Sequence, residues 1–169
     1  MDTFFEQINP IKKNAKMWLL FAAITVVAVA LLVFCVLVFD RYGIVFDFLI
    51  IYGAYTLYKK LSVEYEYIVT NDSFDVDKII GKSSRKRVLS FEIPDISKLN
   101  RCDFSSIPQG NFAKKIIACN KTDSPIYSLV VKGRQGESLL IFSPNEKIRD
   151  GLGKALPKHI DKDVLKCAE

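Results

Sequence analysis

Between Met17 and Phe39 the chain reads MWLLFAAITVVAVALLVFCVLVF, 23 residues without a charged side chain. Coiled as an α-helix, that run is about 34 Å long, enough to cross the hydrocarbon core of a bilayer. Trp18 sits at one end, where an indole prefers the interface, and Lys12, Lys13 and Lys16 precede it. A cleaved signal peptide fits less well. The run is too long, and the chain continues into Phe39-Asp40-Arg41 instead of a small-x-small site. Lipoprotein processing fits no better, because Phe34 stands where a small residue should precede Cys35. The expectation is a retained membrane helix.

A second apolar run, Tyr42 to Tyr58, has 17 residues and one acid, Asp47. It is at the short end for a span. Only Asp40 and Arg41 separate the runs, so a second crossing makes a helical hairpin turning at those two residues. Tyr52, Tyr55 and Tyr58 suit an interfacial belt, and Lys59 and Lys60 close the segment. Lysines at both outer flanks, against one Arg beside one Asp in the turn, place both termini in the cytoplasm of a multi-pass cell-membrane protein. Asp47 has three readings: at the outer interface, the favoured one; packed between the helices; or in a transport role, for which a lone acid makes a poor pathway. Gly53-Ala54 reads either as a close helix approach or as ordinary membrane composition. Residues 2–8 read as a short amphipathic turn of helix, with Thr3 and Glu6 at capping-box spacing, or as a frayed terminus.

From Val63 the periodicity changes to alternation. Val63–Thr70 and Phe74–Ile80 flank the turn residues Asn71-Asp72-Ser73 and predict a β-hairpin. Arg87–Ile93 is a third strand, ended by Pro94. Residues 95–99 suit a short helix or an edge strand, and 102–112 a loop. Ala113–Cys119, Ile126–Lys132 and Glu137–Phe142 give three more strands. Asn145 then starts a helix through Ile148, Leu152 and Leu156, ended by Pro157 and weakened by Gly151 and Gly153. The expected fold is a two-helix transmembrane hairpin plus a mainly β soluble domain, with six to seven antiparallel strands and a C-terminal helix. That is the layout of a pleckstrin-homology (PH)-like barrel.

The segments Glu66-Tyr67-Ile68-Val69-Thr70-Asn71-Asp72, Phe74-Asp75-Val76 and Leu139-Leu140-Ile141-Phe142-Ser143-Pro144-Asn145-Glu146 resemble the opening and ending of bacterial PH-like domains. The whole chain resembles an uncharacterised family of small clostridial-type membrane proteins containing a domain of unknown function. The resemblance brings no activity with it. The expected division is an N-terminal cytoplasmic or interfacial segment (1–16), the hairpin (17–60), the PH-like domain with its helix (61–157) and a tail (158–169).

Chemical motifs are few. No phosphate-binding glycine loop, His-Glu-x-x-His, nucleophile elbow or Cys-x-x-Cys pair occurs, so no enzyme, cofactor or metal is expected. Cys35 lies inside the first apolar run, and Cys102, Cys119 and Cys167 read as free thiols in a reducing compartment. His159 reads as a solvated residue, and Asp72, Asp75 and Asp77 as turn and strand solvation. A net charge of +5 with acids interleaved does not suit nucleic acid. The positive signal is the basic turn Lys82 to Arg87. Lys82, Arg85, Lys86 and Arg87 are the candidate contacts for anionic lipid headgroups or a protein partner, with a solvated loop as the bland reading. The function expected is a non-enzymatic module tethered to the lipid bilayer. The alternative is an accessory subunit of a larger membrane complex, docked through its hairpin.

Overall fold

The computed structural model describes residues 4–39, 42–133 and 136–165. Met1–Thr3, the Asp40-Arg41 turn, Arg134-Gln135 and Cys167 lie outside them. In chain order the elements are β1 (Phe4–Pro10), α1 (Ala15–Phe39), α2 (Gly43–Leu61), β2 (Val63–Thr70), β3 (Ser73–Ile80), β4 (Ser84–Glu92), β5 (Ile96–Cys102), β6 (Lys114–Ile117), β7 (Ile126–Gly133), β8 (Gly136–Phe142) and α3 (Glu146–Ala155). The described residues of 1–11, 64–79 and 85–169 form one compact unit, and those of 12–63 and 80–84 a second.

The first unit is built on two four-stranded sheets, ordered β1-β2-β3-β4 and β5-β7-β8-β6. Alternation in β2 and β3 turns Tyr67, Val69, Phe74 and Val76 inward, onto Leu129, Leu140 and Phe142 of the opposite sheet. Phe142 holds the centre, with ring centroids 5.8 Å from Tyr67, 5.6 Å from Phe74 and 6.2 Å from Tyr127. β8 reads as an unbroken apolar run because both its faces are covered. Leu140 and Phe142 join this core, while Leu139 and Ile141 join a smaller cluster on the back of the sheet with Phe104, Ile107 and Phe112. α3 closes the open end through Ile148 and Leu152, started by Asn145, whose side chain accepts from the Ile148 N–H at 2.9 Å.

Four sequence expectations change. Residues 4–10 form a strand, not a turn of helix. β1 pairs antiparallel with β2 over its whole length, from Phe4↔Thr70 to Pro10↔Glu64. Phe4, Phe5 and Ile8 fit either period, and only the distant partner decides between them. Gln7 fastens the strand to the far end of the chain, donating to the Ser143 carbonyl at 3.0 Å and accepting from the Asn145 N–H at 2.6 Å. Phe5 fills the space that Gly151 leaves, where a Cβ would come within 2.7 Å of the ring. Gly151, read in the sequence as a weakness of the helix, is therefore what admits β1.

Second, the strands among the described residues number eight, and β6 pairs parallel with β8. Local pattern identifies a strand but not its neighbour. Third, Ile160 and Leu165, assigned to a tail, are buried in the main core, whereas His159 is exposed. Fourth, among the described residues one helix, α1, is long and apolar enough to cross a membrane. α2 carries Asp47, Lys59 and Lys60 within 19 residues. The two helices pack antiparallel: Phe21 stacks on Tyr58 at 5.3 Å and Phe39 meets Phe46 at 5.0 Å. Their close approach is at Gly43, where a Cβ would lie 2.8 Å from the Cys35 carbonyl oxygen. An added Cβ at Gly53 would meet nothing within 4 Å.

Since Pro10 and Glu64 are paired, the whole helical excursion leaves and re-enters the sheet between adjacent strands. Replacing residues 12–62 by a short Gly-Asn turn should therefore give a folded, soluble sheet domain. Residues 62–169 alone, with the β2 edge bare, should aggregate or unfold at lower denaturant. Circular dichroism and urea denaturation compare the two chains, and equal stability would remove β1 from the fold's requirements.

Candidate functional site

The basic stretch divides between a turn and a strand. Gly81 and Lys82 both take positive φ, 60° and 58°, and the Ser83 N–H donates to the Ile80 carbonyl at 3.3 Å, the pattern of a type I′ hairpin turn. Arg85, Lys86 and Arg87 follow in β4, where side chains alternate. Arg85 and Arg87 share one face. Arg85 Nη2 donates to Glu66 Oε1 at 3.0 Å. Arg87 spans two acids of β3, Asp75 at 3.2 Å and Asp77 at 3.1 Å.

Two of the four candidate cations are thus committed to carboxylates. Asp75 and Asp77, read in the sequence as solvation, are ion-pair partners, and Asp77 is buried. Glu66 has no exposed surface, and its Oε2, like Asp75 Oδ1, is buried without a hydrogen-bond partner. Three acids against two arginines leave this patch locally acidic. Lys82 and Lys86 are exposed, and among the described residues neither makes an ion pair. The pairing was legible in principle: acids at 75 and 77 and arginines at 85 and 87 repeat at the strand period, on strands joined by a short turn.

Burial pushes the Glu66 carboxyl above its ordinary range, helped by the neighbouring Glu6 carboxyl and opposed by Arg85. Hydrogen bonding to Asp77 and the charge of Asp75 push the Arg87 guanidinium up. Burial likewise pushes the Cys119 thiol up to about 12 and raises Cys102. Both thiols are therefore protonated near neutral pH, the unreactive form. Tyr67, also raised by burial, donates to the Ala118 carbonyl at 2.5 Å. A polar clasp surrounds it. Asn9 donates to Asp123 at 3.1 Å, and Asn120 donates to Asp123 and to the Pro10 carbonyl, tying the end of β1 to the 118–125 loop. Among the described residues no group of three or more His, Cys, Asp or Glu side chains is placed to hold a metal ion.

Asp47 lies one turn beyond Gly43 in α2. It is half-buried, and its Oδ1 is enclosed without a hydrogen-bond partner.

Two layered sheets closed by a C-terminal helix make a PH-like architecture, and a family model described as bacterial PH-like domain (DUF6106) matches residues 1–162. The chain belongs to that family. No curated protein and no solved structure matches. In this PH-like chain the N-terminal strand falls inside the matched region, as its place in the sheet requires. PH-like domains are usually non-catalytic.

The raised Glu66 carboxyl has a consequence for stability. A group that binds its proton more tightly when folded stabilises the fold while protonated. It loses that contribution as pH rises from about 4.5 through its raised value. Thermal unfolding in mild detergent should show wild type losing stability with rising pH relative to Glu66→Gln. Parallel curves would remove Glu66 as the source.

Proposed function

We propose that the chain is a membrane-tethered, non-enzymatic PH-like module, its sheet domain held at the cytoplasmic face of the cell membrane to offer a surface to a protein partner or to anionic lipid. The observation that carries the reading is the β1–β2 pairing. A helix of 25 residues with no acid or base beyond Lys16 begins just after β1, and the chain must be back beside Pro10 by Glu64. A crossing by α1 therefore requires α2 to return. At about 28 Å, the 19 residues of α2 come close to the hydrocarbon thickness. Asp47 is then near the far interface, with Lys59 and Lys60 at the near one. Lys12, Lys13, Lys16, Lys59 and Lys60 share that near end, which the positive-inside rule puts in the cytoplasm. Lys82 and Lys86 are the exposed cations of the basic stretch.

The second reading, an accessory subunit docked through the hairpin, is favoured by one feature. The α1–α2 pair bears an apolar groove of about 390 Å³, with Ala23, Ala28, Gly53 and Ala54 among its lining. Small residues of this kind let a further helix approach closely.

Three measurements test these readings. The full chain should stay in the membrane pellet after alkaline carbonate extraction. A cysteine placed at the exposed position Lys98 should react with an impermeant maleimide only after cells are opened, wild type being the control; labelling in intact cells would overturn the orientation. Copurification in mild detergent separates the readings, a stoichiometric membrane subunit favouring the second.

A further inference from the structure

The β3–β4 turn is built against the last turn of α2. The Gly81 N–H donates to the Ser62 carbonyl at 2.8 Å, and a Cβ on Gly81 would come within 2.7 Å of the Lys59 carbonyl oxygen. Only a glycine permits this approach, and it opens a cleft of about 440 Å³ between the helix end and the turn, within the size range of ligand sites. The floor is mainly apolar, formed by Thr56, Ile80 and the Lys59 stem. Lys59, Lys60, Ser83 and Ser84 border it, and Lys82 is the exposed middle of the turn. Arg85 and Arg87, committed to carboxylates, take no part.

We propose that this cleft holds the phosphate-bearing headgroup of an anionic lipid. The ammonium groups of Lys59, Lys60 and Lys82 face the phosphate, the serine hydroxyls donate to its oxygens, and the apolar floor receives the first carbons of the glycerol and chains. A bare phosphate ion would leave that floor uncovered, so the lining selects the lipid source. The site deepens the lipid-facing part of the proposed function and rests on it. It is also distinct from the 85–87 face, because half of it is the end of a helix outside the sheets.

Native mass spectrometry of the full chain in non-ionic detergent tests it, under conditions where membrane topology plays no part. Failure of the carbonate or labelling result would thus be separate from failure here. Phosphatidylglycerol should be retained in preference to phosphatidylcholine, and inorganic phosphate should not compete with it. Combined Lys59→Gln, Lys60→Gln and Lys82→Gln substitutions should weaken retention about tenfold or more, as expected from several basic side chains near an anionic headgroup. Combined Lys98→Gln, Lys115→Gln and Lys147→Gln substitutions, which remove the same charge from exposed sites elsewhere, should leave retention unchanged. Equal retention of both lipids, equal loss in both variants, or full competition by inorganic phosphate would each overturn the proposal.

Discussion

Everything else in the fold depends on one pairing between strands far apart in the chain, β1 with β2. Seven residues at the start of the chain meet a strand that begins only after both helices have been made. Without β1, the edge of the first sheet would be β2, the strand that carries Tyr67 and Val69 into the core. The partnership also sets where the helices are inserted. An excursion of about fifty residues between adjacent antiparallel positions behaves, for the sheet, like a very long hairpin loop, and closing such a loop costs only slowly more with length. Gln7, Asn9 and Phe5 are the contacts that offset this cost, reaching α3, the 118–125 loop and the face of Gly151.

The charged residues follow the same logic of distant partners. A run of four cations within six residues looks in isolation like an open basic patch. Folded as a hairpin, it loses half of them to Glu66, Asp75 and Asp77. An arginine 55% exposed gains little from a surface pair alone, but here its partners are the buried ends Glu66 and Asp77, and leaving those unpaired would be costly. The arginines therefore serve the sheet, and the exposed cations of the stretch outside these ion pairs are the lysines Lys82 and Lys86.

Much of the architecture was legible from pattern. The alternation in 63–80, the apolar runs at 126–131 and 139–142 and the Asn145 start of α3 each announce an element through local chemistry, and each is present. Residues 4–10 were not legible, because an apolar spacing that suits a turn of helix also suits a strand, and nothing within the segment chooses. The parallel β6–β8 pair was missed because strand neighbours are set by packing across the core. Ile160 and Leu165 sit in a polar context that reads as a tail until the main core takes them in, Leu165 with the turn that packs on α3 and β5.

By itself, the sequence determined that the 17–39 run is apolar enough for a membrane, that a β domain follows the apolar runs, and that no familiar catalytic motif is present, since these are properties of contiguous residues. Only the tertiary structure decided that the first strand belongs to that domain, that two arginines are neutralised while nearby lysines stay exposed, and that Gly81 brings a turn against the end of α2. Those outcomes depend on partners tens of residues away, and a partner's position is fixed only when the sheets close around a shared core.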